Sequence, residues 1–368
     1  MKECSLKKTT LLLCSALLLS QMSVSNACTR AVYLGSDNLV ITGRSMDWME
    51  NMHSSIWVFP KGIKRNGLAG PKSPEWTSKY GSIITSVYNL ATADGMNERG
   101  LVVNMLYLAE SDYGSAKEGH PPLSVSLWGQ YALDNFATVN EAVDAMSKNT
   151  FQIIAPNLPD GTASTVHLSL SDSSGDSAIL EYVKGELVIH HGSQYQVMTN
   201  SPIYSKQLAI NEYWQEINGS VFLPGTDRAA DRFARASYLI QSIPKQVDRN
   251  YIQGVPEKAY TYQAIAGVLG VMRSVSVPLG IVDPQKPNIA STLWRTISDQ
   301  KNMIYYFDSS TYPNIFWVDL KNVNFASGAP VLSLAVEDGD VYAGDVSKLL
   351  KSSKPFDFMP AQLSINKS

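Results

Sequence analysis

Cys28 is the residue of this chain best suited to covalent chemistry. The chain has three cysteines, and Cys4 and Cys14 lie in an N-terminal segment that resembles an export signal. If residues 1–27 are removed, Cys28 becomes the first residue and keeps the only thiol. A thiol that carries its own free α-amine combines a nucleophile and a base in one residue. The pattern therefore predicts an N-terminal nucleophile.

The first 27 residues have the order of a secretory signal peptide. Basic residues precede the apolar run 11–19, and Ser25-Asn26-Ala27 supplies small residues before the cysteine. The run is too short to anchor the chain in a bilayer. We therefore expect residues 1–27 to be removed, and residues 28–368 to form a single catalytic domain that is periplasmic or secreted. Lipoprotein processing also cuts before a cysteine, but Ser25 is not the large aliphatic residue that this route prefers.

Arg44 and Asp47 are charged residues that a predicted hairpin would bring close to Cys28. Two short apolar strands flank a tight turn at Ser36-Asp37, and a hairpin centred there returns residue 44 to the side of residue 28. A nearby cation lowers the pKa of a thiol, and the Asp47 carboxylate could accept a hydrogen bond from the α-ammonium. The hairpin alone leaves a second interpretation open, in which Arg44 and Asp47 form a surface ion pair.

Composition and missing motifs exclude several other classes of protein. A formal net charge of −3 without a basic run argues against a nucleic-acid partner. The five histidines show no metal-ligand spacing, and there is no Gly-x-Ser-x-Gly, phosphate loop or paired-cysteine knuckle. We therefore expect neither a metal nor a cofactor. A catalytic pair of Cys28 and a histidine stays open from sequence alone.

The remaining pattern predicts one domain of sheets covered by helices. Thr138 and Glu141 form a capping box that predicts a helix. Two more helices are expected, from Gly225 to about Ile240 and over 259–272, whereas 61–78 is expected to be an exposed loop and the tail 351–368 to be loosely held. The predicted strands are 31–34, 39–42, 55–59, 82–88, 101–108, 166–170, 178–183, 186–190, 195–199, 292–297, 303–307 and 315–320.

Five separate elements, in order, resemble the choloylglycine hydrolase and penicillin V acylase family of N-terminal-nucleophile amidohydrolases, and specifically its exported Gram-negative branch. The resemblance implies an α+β, four-layer αββα fold, in which two stacked antiparallel sheets are flanked by helices. It covers most of the chain after residue 27. The elements are Cys28-Thr29 with Gly43-Arg44-Ser45-Met46-Asp47-Trp48, Asp94 to Leu101, Thr199-Asn200-Ser201-Pro202, Leu223-Pro224-Gly225, and Arg232-Phe233.

The resemblance also implies roles for individual residues. Taken alone, Asn200 could be a turn residue and Arg232 a solvated helix residue. Tyr107 departs from the pattern, because bile-salt-type members often carry asparagine at that position. The implied roles are Cys28 as nucleophile, Arg44 and Asp47 as the pair that holds and tunes it, Asn200 as an oxyanion-hole donor, Tyr107 as the position of the second donor, and Arg232 as a second active-site arginine.

The predicted activity is hydrolysis of a linear amide with an apolar acyl group. Trp48, Tyr88, Tyr107 and Tyr113 are the aromatic residues expected near the site. Penicillin V and acyl-homoserine lactones are favoured as substrates over conjugated bile salts, because of the departure at Tyr107. A lipid-anchored or soluble periplasmic binding protein without catalysis is the alternative of a different class. A homotetramer is an expectation from the resemblance alone.

Overall fold

The computed structural model describes residues 28–115, 117–148, 150–156, 164–281, 290–336 and 339–361. The expected export signal and the last residues of the tail lie outside these ranges. No helix within them is both long enough and apolar enough to span a bilayer. The helices are α1 (Trp128–Asn135), α2 (Val139–Met146), α3 (Tyr204–Ile217), α4 (Ala229–Ser242) and α5 (Tyr260–Ser274).

Short strands make up most of the remaining regular structure. In chain order they are β1 (Thr29–Leu34), β2 (Val40–Trp48), β3 (Ser55–Phe59), β4 (Lys64–Asn66), β5 (Glu75–Thr77), β6 (Ser82–Val87), β7 (Ala91–Asn97), β8 (Val102–Tyr107), β9 (Pro122–Ser124), β10 (Gln152–Ile154), β11 (Val166–Ser171), β12 (Ser177–Val183), β13 (Glu186–His191), β14 (Val197–Met198), β15 (Ser291–Asp299), β16 (Ile304–Ser309), β17 (Ile315–Asp319), β18 (Leu332–Ala335), β19 (Gly344–Asp345) and β20 (Lys351–Ser352).

Two large sheets stack on each other between two layers of helices. Over the described ranges, a seven-stranded sheet has the order β14-β1-β2-β15-β16-β17-β19, and a nine-stranded sheet has the order β13-β12-β11-β8-β7-β6-β3-β18-β20. Helices α4 and α5 cover the first sheet through β1, β2 and β15, whereas α1 and α2 cover the second through β7, β8 and β12. The α+β, four-layer αββα prediction is therefore confirmed.

Buried polar contacts join the facing surfaces of the two sheets. The Thr42 hydroxyl of β2 lies 2.8 Å from the Ser171 hydroxyl of β11, and the Thr85 hydroxyl of β6 lies 2.8 Å from the Tyr305 hydroxyl of β16. The Arg30 guanidinium of β1 donates to the Leu170 carbonyl at 2.9 Å. Because a buried polar group must find a partner, these pairs allow few relative positions of the sheets.

The hairpin at the N-terminus differs from the prediction by two residues. In the β1–β2 pair, Arg30 lies opposite Arg44 and Thr29 lies opposite Ser45. The same register places Cys28 opposite Met46 rather than opposite Arg44, but the Arg44 guanidinium still lies 3.9 Å from the Cys28 sulfur, as the predicted hairpin requires. The turn is centred at Asp37 rather than Ser36, and each residue of shift at a turn moves the pairing by two.

Helices α2 and α5 begin within one residue of their predicted starts. Thr138 caps α2 by accepting from the Glu141 amide at 3.2 Å, as the capping box predicted. By contrast, α4 begins at Ala229 rather than at Gly225. Helix α3 was not predicted, because its first amide, on Tyr204, is capped at 2.9 Å by the Glu181 carboxylate from a distant strand.

The segments expected to be loops contain ordered structure. Residues 61–78 include the hairpin of β4 and β5, and fewer than half of these residues are exposed. The tail was expected to be loosely held, but Phe358 and Ala361 are buried, at 6% and 2% exposure. Aromatic side chains between the lysines and serines of the tail therefore pack against the protein and hold the tail in place, although its composition is mostly polar.

Gly43 sets how closely α5 approaches β2. A β-carbon at Gly43 would lie 2.8 Å from Met272 and 2.9 Å from Val268, both on α5. We expect Gly43→Ala to destabilise the fold by about 1–3 kcal/mol, because the helix must move away. Gly270→Ala, on α5 with nothing within 4 Å, should instead stabilise by roughly 0.5–1 kcal/mol. Urea unfolding would measure both, and equal effects would contradict this packing constraint.

Candidate active site

Cys28 lies just before β1, almost fully buried, with its thiol facing β2. The sulfur is 3.8 Å from the Met46 sulfur, 3.8 Å from the Asp47 carbonyl oxygen and 3.9 Å from an Arg44 guanidinium nitrogen. Burial raises the pKa of the thiol, and the charge of Arg44 opposes that shift. The nearby cation therefore offsets part of the cost of forming a buried thiolate.

No histidine is bonded to Cys28 in the part of the chain that the structure describes. His167 is bound instead to Glu181, with 2.8 Å between Nδ1 and the carboxylate, and His191 contacts Asp176 at 2.7 Å. The Cys–His pair that the sequence left open is therefore not formed here. A base for the thiol must come from another group.

Arg44 is a buried cation and not a surface residue. Its guanidinium lies 4.5 Å from the centre of the Trp294 ring and donates to the Met105 carbonyl at 3.1 Å. A cation over an aromatic face is stabilised by the ring quadrupole, most strongly away from water. Arg44 therefore points its charge at the thiol from a fixed position, and the interpretation as a surface ion pair was wrong.

Asp47 is a buried carboxylate with one satisfied oxygen. Oδ1 accepts from the Thr292 hydroxyl at 2.5 Å, whereas buried Oδ2 has no hydrogen-bond partner and lies 3.8 Å from an Arg232 nitrogen. Burial raises the pKa of Asp47 to about 6, although the charge of Arg232 opposes the shift. The same Arg232 nitrogen donates to the Cys28 carbonyl at 2.7 Å, so Asp47 lies close to the main chain of Cys28.

Asn200 and Arg232 hold the main chain of Cys28 from the other side. The Cys28 nitrogen donates to Asn200 Oδ1 at 2.5 Å, and Arg232 donates to the same oxygen at 3.1 Å and to the Cys28 carbonyl at 2.7 Å. Arg232 is fully buried, which lowers its pKa, while Asp47 raises it. Neither residue is the turn former or the solvated helix residue that the sequence allowed.

Tyr107 joins this group through its main chain. Its carbonyl oxygen accepts from Asn200 Nδ2 at 2.7 Å, and its side chain borders the cavity next to Cys28. Burial raises the pKa of the Tyr107 hydroxyl. All six predicted site residues therefore lie in one cluster, while the oxyanion role suggested for the Tyr107 region stays a prediction.

A mainly apolar cavity opens beside the Cys28 thiol. Trp48, Tyr88 and Tyr107 line it as expected, but Tyr113 does not, because it is buried in the core between the nine-stranded sheet and its helices. Such a lining suits an apolar acyl group. Its other apolar members are Met46, Met52, Val87, Leu90, Ala91, Ala93, Met105, Val125, Pro156, Val166 and Met359.

Sequence reasoning missed several residues that shape the site. Thr292 and Trp294 come from β15, more than 240 residues after Asp47, and reach the site because β15 pairs with β2. No local pattern could have found this pairing. Met46 could have been found, because it lies between Arg44 and Asp47 and on the strand that pairs with the Cys28 strand.

The described residues contain no group of three or more His, Cys, Asp or Glu side chains that could hold a metal ion. The chemistry available to the cluster is that of a thiol between two cations and one carboxylate, beside an apolar cavity. A thiol in this arrangement is a candidate nucleophile toward a carbonyl carbon.

Comparison with known proteins agrees with this chemistry. Residues 28–333 match the family model described as linear amide C-N hydrolases, choloylglycine hydrolase family. The chain is 48% identical over 353 residues to a penicillin V acylase of Pectobacterium atrosepticum, covering 91% of this chain and 93% of that protein. A bile salt hydrolase/transferase of Clostridium perfringens is more distant, at 27% identity over 332 residues, 81% of this chain and 93% of that protein.

The fold is also that of solved relatives. The structure of a penicillin V acylase from Agrobacterium tumefaciens superposes with a TM-score of 0.82 at 49% identity, covering 90% of this chain and 99% of that chain. A conjugated bile acid hydrolase from Clostridium perfringens shares the fold, with a TM-score of 0.69 at 21% identity, covering 84% and 97% of the two chains. The chain therefore belongs to the choloylglycine hydrolase family and is a hydrolase of linear amide C–N bonds.

Proposed function

We propose that removal of residues 1–27 exposes Cys28 as an N-terminal nucleophile that cleaves amides with apolar acyl groups. The observation that carries this proposal is the position of Cys28, whose thiol borders the apolar cavity while its nitrogen lies within the Asn200, Arg232 and Asp47 cluster. The family match beginning at residue 28 supports the same start.

The proposed base is the α-amine of Cys28. An α-amine has a pKa of about 7.7–8.0, so it can take the thiol proton near neutral pH. The thiolate then attacks the amide carbonyl carbon, and a C–S bond forms while the carbonyl electrons move to oxygen. The C–N bond breaks as the leaving amine takes the proton from the α-ammonium. Water next attacks the thioester, which releases the carboxylic acid and restores the thiol.

Asn200 is the proposed donor to the oxyanion. Its amide nitrogen carries two hydrogens, and one is used by the Tyr107 carbonyl. The second can point at the carbonyl oxygen of the substrate. One such donor contributes about 3–4 kcal/mol to the transition state. A main-chain N–H near Tyr107 is the proposed second donor.

Penicillin V and acyl-homoserine lactones are the proposed substrates. Both present an apolar acyl group, aromatic in one and aliphatic in the other, and the cavity offers Trp48 and Tyr88 together with several methionines. The relative at 48% identity is a penicillin V acylase, whereas bile salt hydrolases are more distant. Conjugated bile salts remain the alternative substrate class.

The proposal includes export to the periplasm or the medium through residues 1–27. The family's N-terminal chemistry requires that a peptide bond before Cys28 be cut, and a signal peptidase would supply that cut. Assembly into a homotetramer is proposed from the family resemblance alone.

A residue left ahead of Cys28 should abolish turnover while leaving the thiol intact. A non-removable Gly turns the amine into an amide, which is neither basic nor charged. We expect turnover of penicillin V and of a long-chain acyl-homoserine lactone to fall by about 10²–10⁴-fold relative to the chain that starts at Cys28. Circular dichroism controls for folding. Equal turnover by the two proteins would refute the N-terminal-nucleophile mechanism.

Two substitutions at Asn200 distinguish its role as hydrogen-bond donor to the oxyanion from its role in holding Cys28 in place. Asn200→Ala should lower kcat by about 10²–10³ with a smaller change in KM, because the donor acts on charge formed in the transition state. Asn200→Asp keeps the oxygen that accepts from Cys28 and Arg232 but removes the N–H groups. It should be as impaired as Asn200→Ala in steady-state assays. Near-normal kcat for Asn200→Asp would assign Asn200 to holding Cys28 alone.

Asp47→Asn should show whether the amine of Cys28 lies beside Asp47. Burial raises the pKa of Asp47 from 3.8 to about 6. The folded chain therefore keeps a proton that the unfolded chain loses, so stability falls as pH rises from about 4 to 6. In the Gly-extended chain, we compare the free energy of unfolding of Asp47→Asn with that of its parent. The difference should grow in favour of the variant by about 2–3 kcal/mol between pH 4 and pH 7.5.

In the chain that starts at Cys28, that gain should shrink, because the new ammonium stabilises the Asp47 carboxylate. Denaturant unfolding followed by tryptophan fluorescence gives both values. The same pH dependence in the two chains would show that Asp47 does not contact the amine.

A further inference from the structure

The cavity beside Cys28 is bordered by a segment that lies outside the family match. That match ends at residue 333, and residues 353–361, which we call the C-terminal strap, continue from β20. The Ser353 amide donates to the Val331 carbonyl at 2.9 Å, and the Ala361 amide donates to the Leu68 carbonyl at 2.8 Å. The strap is therefore tied to the body of the protein at both ends.

Aromatic side chains fix the middle of the strap. Phe356 and Phe358 pack against Phe59 of β3, with ring centres 5.9 Å and 6.4 Å apart, and the Arg65 guanidinium lies 5.2 Å from the Phe358 ring. Phe358 is 6% exposed. These contacts give the strap an apolar anchor immediately before the residue that reaches the cavity.

Met359 is that residue, and its main chain is held by three hydrogen bonds. Its amide donates to the Leu90 carbonyl at 2.8 Å, and its carbonyl accepts from the Ser124 and Ser126 hydroxyls, each at 2.8 Å. Met359 lines the cavity together with Leu90, Val125 and Ser126. Because the anchoring runs through the main chain, the side chain can change without releasing the strap.

We propose that Met359 is a specificity-determining residue, which limits the length of the acyl group that the cavity accepts. The inference rests on the proposed function, in which that cavity binds the acyl group. Met46, Met52 and Met105 line other parts of the same cavity. Methionine is unbranched and polarizable, so it adapts to groups of different shape. In this proposal, Met359 forms an adaptable part of the cavity wall, which accepts aromatic and aliphatic acyl groups of limited length.

The test is a series of N-acyl-homoserine lactones with straight acyl chains of about 6–14 carbons. Met359→Ala should enlarge the cavity and move the preferred chain length upward, and Met359→Trp should move it downward. A missing or added contact in an apolar pocket changes selectivity by about 10-fold or more, so the ratio of kcat/KM for long over short chains should shift by that factor in opposite directions. Met359→Leu, of similar volume, should retain the wild-type ratio.

Asp357→Ala is the matched control, because Asp357 lies on the strap but is exposed and does not line the cavity. It should leave the ratio unchanged, and melting temperatures would show that every variant is folded. Equal chain-length profiles for wild type, Met359→Ala and Met359→Trp would overturn the inference.

Binding separates this inference from the proposed catalytic mechanism. In a Cys28→Ala background, which cannot form the thioester, affinities for the same acyl-homoserine lactones can be measured by calorimetry. If the wild type failed to turn over any amide, the proposed function would fail. A chain-length preference in binding that moves with residue 359 would still support the role of Met359, and an unmoved preference would refute it.

Discussion

The burial of the Arg232 guanidinium is the constraint on which the site depends. A cation with no access to water must have its donors satisfied and its charge compensated. Arg232 meets this need by donating to the Cys28 carbonyl and to Asn200 Oδ1, with Asp47 3.8 Å away. One side chain on α4 thereby fixes the start of β1, the end of β2 and the segment after β14. Any displacement of α4 would therefore alter the geometry around the thiol.

The site retains polar atoms that folding alone would not favour. Asp47 Oδ2 and two Arg44 nitrogens are buried without hydrogen-bond partners, and such groups typically cost about 1–3 kcal/mol each. The surrounding structure limits this cost electrostatically. Asp94 is buried between the sheets and accepts hydrogen bonds from Asn104 at 2.5 Å and Thr296 at 3.1 Å. Burial raises the pKa of Asp94, and the positive charge of Arg44 opposes part of that rise.

Local chemistry in the sequence predicted part of this molecule, and long-range pairing decided the rest. The turn before β2, the capping box of α2 and the motif around Arg44 are contained in a few neighbouring residues, and the first two were placed correctly to within one residue. The predicted hairpin placed Arg44 beside the Cys28 thiol correctly, but the exact register differs by two residues, because a shift of one residue at the turn moves the pairing by two. Thr292 and Trp294 could not be predicted as site residues, because they reach the site only through the pairing of β15 with β2. Helix α3 was missed for the same reason, since Glu181 caps it from another strand.

The tail illustrates a different limit of sequence reasoning. Lysine, serine and proline dominate its composition, yet Phe356 and Phe358 pack against Phe59 of β3, and main-chain hydrogen bonds hold the tail on either side of them. The charged cluster around Cys28 lies wholly within residues 28–333, whereas one wall of the cavity comes from residue 359. In our proposal, the reaction depends on residues 28–333, and part of the selectivity depends on the strap, which main-chain hydrogen bonds join to the rest of the protein. A change in the strap can alter the volume next to the thiol while the charges that act on the thiol stay in place.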